Sequence, residues 1–144
     1  MNSKPNEMDD FLQFCVCANL RKVARVVTQL YDNQLQPTGL KVTQYSMLAN
    51  IDRHKDISIS QLGEIMLLDQ TTVTRNLNLL KKSGYVRITK SNHDSRAKKI
   101  SLTDIGYAKL EEAKPIWYHI QEKVVHDIGT DKYKDLLETL KKLQ

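Results

Sequence analysis

Residues 58–103 read SISQLGEIMLLDQTTVTRNLNLLKKSGYVRITKSNHDSRAKKISLT, and this stretch decides the fold. Ser58 and Gln61 have the spacing of a capping box, in which each side chain satisfies a free backbone N–H of the other residue. The helix they open is predicted to run to about Met66, with Leu62, Ile65 and Met66 inward. Leu67 to Gln70 form a turn, Asp69 is the next N-cap, and a second helix covers about Thr71 to Lys82. Its inward stripe is Val73, Leu77 and Leu80, spaced four and three, as one helix face requires. Ser83-Gly84 stops it with a glycine C-cap. Tyr85–Thr89 and Lys98–Leu102 then read as two short strands joined by a polar loop, Lys90–Ala97. Helix, tight turn, helix and hairpin make a winged helix-turn-helix.

The charge sits in the same place. Residues 71–100 hold eight Lys or Arg (Arg75, Lys81, Lys82, Arg87, Lys90, Arg96, Lys98, Lys99) against one acid, Asp94. That is +7 in a chain whose total is +5, so the remainder sums to −2. A basic patch confined to one compact motif is the electrostatic footprint of a nucleic-acid reader.

Working outward, residues 1–9 are expected to lack structure, and Phe11 to about Gln34 form a long helix without Gly or Pro. Cys15, Ala18, Val23, Val26, Val27 and Leu30 fall at helical spacings, while Phe11, Leu12, Phe14 and Val16 add apolar groups on other faces. A helix apolar on more than one side is buried from more than one side, which points to a second chain. Pro37 and Gly39 mark a turn, Thr43 is predicted to cap a helix through about Ile51, and residues 54–56 read as a loop. After the wing, Thr103 and Asp104 open a helix reaching Ile128, with Pro115 expected to kink it. Gly129 ends it, and Asp131 to Leu143 form a last amphipathic helix bearing Leu136, Leu137, Leu140 and Leu143. The fold class is thus mostly α with a small β-hairpin wing (α+β).

The 144 residues suit one domain, or one small domain with a helical appendage. No apolar run approaches the ~20 residues needed to span a bilayer, and the polar N-terminus is unlike a targeting peptide, so a cytoplasmic protein without a membrane partner is expected. There is no glycine-rich phosphate loop, no zinc-protease pattern and no nucleophile–base–acid set, so no enzyme, cofactor or metal is expected.

The second helix carries the recognition chemistry. With its inner stripe on the scaffold, Thr71, Thr72, Thr74, Arg75, Asn76 and Asn78 are left outward or at the edge. Arg bonds guanine bidentately in the major groove and Asn bonds adenine. Lys81 and Lys82, at the far end, suit phosphates, which add affinity but little sequence information. Asn92, His93 and Arg96 in the loop, with Lys98 at its edge, complete the DNA-contacting set. Asp94 is read as the partner that orients Arg96 toward an adjacent A·T-rich minor groove, where narrowing concentrates negative potential.

Two segments carry a family resemblance: SISQLGEIMLLDQTTVTRNLNLLKKSGYV, and DSRAKKISLTDIG after it. The chain resembles MarR-family transcriptional regulators, whose trademark is an Asp-x-Arg wing leading into a Leu-Thr-x-x-Gly helix start. Here those residues are Asp94, Arg96, Leu102, Thr103 and Gly106. The resemblance covers nearly the whole chain. It implies a single unit (1–144) with a DNA-binding part at 41–103 and dimerisation helices at 10–35 and 104–144. It also implies Arg96 in the minor groove and Thr72 and Arg75 on the recognition helix. The implied partners are double-stranded DNA, a second copy of the chain, and a small aromatic ligand or an oxidant that releases the DNA of a homodimeric repressor.

Sensor candidates compete with plain packing. Cys15 and Cys17 invite oxidation chemistry, but two residues apart on a helix they point about 200° from one another, and buried cysteines often serve as small hydrophobes. Trp117, beside Tyr118 and Pro115, is a ligand-pocket candidate whose alternative is a place in the core. His119, Glu122 and His126 share a helical face, yet imidazoles more than one turn apart converge poorly on a tetrahedral ion. The competing functional class is a winged-helix module whose basic surface meets an acidic protein, because fold alone does not separate the two uses.

Overall fold

Capping side chains set where most of the helices begin in the computed structural model, which describes residues 12–90 and 98–144. The elements in order are α1 (Val16–Leu35), a 3₁₀ turn (Gln36–Thr38), α2 (Val42–His54), β1 (Ile57–Ser58), α3 (Ile59–Met66), α4 (Gln70–Lys82), β2 (Val86–Lys90), β3 (Lys98–Leu102), α5 (Asp104–Ile128) and α6 (Thr130–Lys142). The expectation of an unstructured 1–9 falls outside the described residues.

Four helix starts differ from expectation, one of them that of α6, which begins at Thr130 and not at Asp131. α1 begins at Val16, because Cys15 is its N-cap and its thiol accepts the Ala18 N–H at 3.5 Å. α2 begins at Val42 and not at a Thr43 cap. Asp32, reaching from α1, accepts the Val42 N–H at 2.8 Å, and the Gln44 side chain accepts the Lys41 N–H at 3.0 Å. At its other end α2 extends past Ile51 to His54, where the Lys55 N–H donates to the Ile51 carbonyl. α4 begins one residue early, at Gln70, immediately behind its Asp69 cap.

The sheet has three strands where two were expected, in the order β1-β3-β2, all antiparallel. Ile57 pairs with Ile100 and Ser58 with Lys99, so the two-residue β1 exists only through β3. Ser58 then serves twice, ending β1 and capping α3 with Gln61, as the capping box predicted. The structure thereby fastens the wing to the helix-turn-helix.

The core gathers Leu35, Met47, Leu48, Ile51, Leu62, Val73, Leu77, Leu80, Ile100 and Leu110, all buried. Ile65 is a correction: it is 45% exposed, while Leu62 is buried and Ile59 and Met66 are half-buried against the core. In this eight-residue helix only the Leu62 face meets the core, and Ile65 lies off it. α5 continues as helix on both sides of Pro115. It is tied to α1 by the Tyr31 hydroxyl, which donates to Gln121 Oε1 at 2.9 Å. Burial chiefly, with Tyr133 nearby, pushes the Tyr31 phenol above its usual value.

Candidate nucleic-acid interface

α4 is pinned at both ends. Asp69 Oδ1 accepts the Thr72 N–H at 2.7 Å, and mainly for that reason the carboxyl is held below its ordinary 3.8. At the other end the Gly84 N–H donates to the Lys81 carbonyl and the Tyr85 N–H to the Leu80 carbonyl, both at 2.9 Å. This is a Schellman motif, and Gly84 takes the positive φ of 81° that the motif assigns to a glycine. Val73, Leu77 and Leu80 bury the inner face as predicted. The preceding turn holds Leu67 at φ 51°, a left-handed conformation uncommon outside glycine, with its side chain 70% exposed.

Thr71, Thr74, Arg75 and Asn78 line one open concavity on the outer face, together with Gln70 and Leu79. Thr72 and Asn76 stand at the flank, half-buried, and the Asn76 amide donates to the Thr72 carbonyl at 2.9 Å. Lys82 is exposed one turn beyond Asn78.

Lys81 turns instead toward the sheet. It borders a recess of about 220 Å³ between α4 and the wing, with Thr74, Asn78, Lys90 and Lys98 on the rim and Ile59, Leu77 and Ile88 among the apolar lining. Lys90 and Lys98 are directly paired across the two strands. Three ammonium groups around one recess repel each other unless an anion sits among them. The predicted site named Lys81 and Lys98 but not Lys90, Gln70 or Leu79. Alternation along β2 was the available signal for Lys90, because it puts Lys90 and Ile88 on one face. Asn92, His93, Asp94 and Arg96 lie outside the described residues.

The sensor candidates lie elsewhere. Cys15 is half-buried and Cys17 exposed, and both are free thiols. Trp117 is used in packing: it stacks on Tyr45 at 6.1 Å, meets Tyr118 edge-on at 5.0 Å and lies against the core. A neighbouring recess is lined by Tyr118, Gln121, Glu122, Val125 and His126, without Trp117. Among the described residues, no group of three His, Cys, Asp or Glu is placed to hold a metal ion. No helix among them is long and apolar enough to cross a membrane.

α1 leaves a row of apolar side chains uncovered. Val23 is 57% and Val26 68% exposed, and Val16 and Leu20 extend the row. Leu136, Leu137 and Leu143 of the C-terminal segment are exposed as well.

A family model described as "MarR family" matches residues 38–97. The chain is 30% identical over 135 residues to the HTH-type transcriptional regulator SarZ of Staphylococcus haemolyticus, a match covering 92% of this chain and 89% of that protein. Its structure is similar to that of the M. tuberculosis transcriptional regulator MosR in complex with DNA. The TM-score is 0.77 at 35% identity, over 87% of this chain and 92% of that one. It also shares the fold of the transcriptional repressor CouR bound to a 23-mer DNA duplex, with TM-score 0.85 at 21% identity over 99% of each chain. Winged helix-turn-helix order, caps, basic recess and these relatives agree: the chain belongs to the MarR family and is a DNA-binding transcriptional regulator, not an enzyme.

Proposed function

We propose that the protein acts as a homodimeric repressor reading a pseudo-palindromic operator, with α4 of each copy in a major groove. The observation that carries this is the outer face of α4, where Thr71, Thr74, Arg75 and Asn78, all exposed, border one concavity. In this reading those four side chains address base edges, with Thr72 and Asn76 at the border. Lys81, Lys82 and Lys98 hold phosphates, joined by Lys90. Asn92, His93 and Arg96, with Asp94 orienting the arginine, enter through the Asp-x-Arg pattern of the wing and reach the neighbouring minor groove.

The second copy is called for by the exposed apolar rows of α1 and the C-terminal segment, within the proposed dimerisation segments 10–35 and 104–144. Exposed contiguous apolar surface marks an interaction site. A two-fold pair would present its recognition helices about one turn of DNA apart, roughly 34 Å. Occupying an operator excludes other proteins from it, which is the physical basis of repression. Release by a small aromatic ligand or an oxidant is part of the proposal, with Cys15, Cys17 and the surroundings of Trp117 as the candidate sensing groups.

Selection of bound duplexes from a random pool, in reducing buffer at near-physiological salt, tests this reading. An enriched inverted repeat with half-sites one turn apart is expected. No enrichment, together with binding that vanishes as salt rises, would favour a basic surface that meets an acidic protein.

A further inference from the structure

The outer face of α4 carries one apolar side chain that the core does not use. Leu79 is 51% exposed and is absent from the hydrophobics packed on the core, whose share of α4 is complete with Val73, Leu77 and Leu80. It borders the same concavity as Thr71, Thr74, Arg75 and Asn78, one helical turn beyond Arg75. The face it joins is otherwise made of hydroxyls, amides and one guanidinium. In the major groove the only apolar group that a base pair presents is the C5-methyl of thymine.

We infer that Leu79 is a specificity residue that packs on a thymine methyl of the operator. This rests on the reading of α4 as the major-groove helix and adds a base to it. Position follows from dimensions. One helical turn advances 5.4 Å and one base step about 3.4 Å, so the thymine lies about one to two base pairs from the base that Arg75 reads. The neighbours on the face divide the work: Arg75 and Asn78 discriminate by hydrogen bonds, and Leu79 by the presence of a methyl.

The test uses the full chain and the selected operator. Each thymine is replaced singly by deoxyuridine, which removes the methyl and leaves every hydrogen-bonding edge unchanged. Wild type should lose about three- to tenfold in affinity at one symmetry-related pair of positions, within two base pairs of the base whose identity ceases to matter in Arg75→Ala. Leu79→Ala should bind thymine and uracil equally there, and Leu79→Met should retain most of the preference. Leu79 is exposed and alanine is the better helix former, so the variant should fold as wild type does, checked by its thermal transition. Uracil tolerated at every position, or an unchanged thymine preference in Leu79→Ala, would overturn the inference while leaving the operator reading intact. Altered self-association in Leu79→Ala without change at any thymine would assign the side chain to a second copy and overturn it too. Failure to select any duplex would remove both readings.

Discussion

Gly106 faces the carbonyl of Tyr85 so closely that a Cβ built on Gly106 would overlap that oxygen. The contact closes the seam between the wing and α5. Beside it, Thr103 donates its hydroxyl to the Gly84 carbonyl at 2.5 Å and accepts the Gly106 N–H at 3.0 Å, while the Thr103 N–H donates to the Tyr85 carbonyl at 3.1 Å. Thr103 therefore joins the C-cap of α4 to the N-cap of α5. The Leu-Thr-x-x-Gly sequence thus has a mechanical reading, a hydroxyl that bridges two helix ends and a residue with no side chain to separate them.

Gly106→Ala should destabilise the fold by about 1–3 kcal/mol, the usual range for forcing a methylene into a packed site. Denaturant unfolding checks it. Stability equal to wild type would mean that the wing and α5 can part without penalty.

Asp69 makes the start of α4 sensitive to acid. Its folded pKa lies below the ordinary 3.8, so its carboxylate contributes stability above that value and loses it as pH falls through the folded pKa. The stability difference between wild type and Asp69→Asn, followed by thermal melts, should shrink on acidification. A difference that stays constant or grows would assign the cap's strength to something other than charge.

Arg75→Ala should cost about 1–3 kcal/mol on the selected operator and relax preference at one base position of each half-site. Equal weakening on all duplexes would make Arg75 a phosphate contact.

Lys90→Ala and Lys98→Ala should each reduce the slope of log affinity against log salt by about one, with no change in base preference. Titration at several salt concentrations measures this, and an unaltered slope would place the recess outside the DNA footprint.

If an oxidant is the effector, the Cys15→Ser, Cys17→Ser double variant should remain on DNA at peroxide doses that release wild type. Mobility shifts before and after oxidation decide it, and equal release of both proteins would remove the thiols from the mechanism.

Local signals were legible in the sequence. Ser58 with Gln61, Asp69, Ser83-Gly84 and Thr103 each act within a few residues, and each ends or starts a helix as their spacing implied. The misread features depend on distant partners. β1 is two residues long and is a strand only because β3 lies beside it. The start of α2 is fixed by Asp32, ten residues away on another helix, which overrode Thr43. Lys90 joins Lys81 in one recess through the register of β2 against β3, and the α4 stripe alone could not disclose that. Leu79 stands outside the Val73, Leu77 and Leu80 stripe, and it was passed over because only hydrogen-bonding and charged side chains were sought on the outer face.

Because Ser58 ends a strand of the wing sheet and also caps α3, swinging the base of the wing away from the helix-turn-helix would break either the β1–β3 pairing or the cap. Lys98 at the wing's root and Asn78 on α4 border the same recess. In the proposed reading a duplex would meet two elements already aligned to one groove width, so the entropy of aligning them would be lost during folding and would not weaken binding. Sequences whose grooves depart from that width must deform to fit. In that reading the two-residue pairing of β1 would make affinity depend on DNA shape at base pairs that no side chain touches.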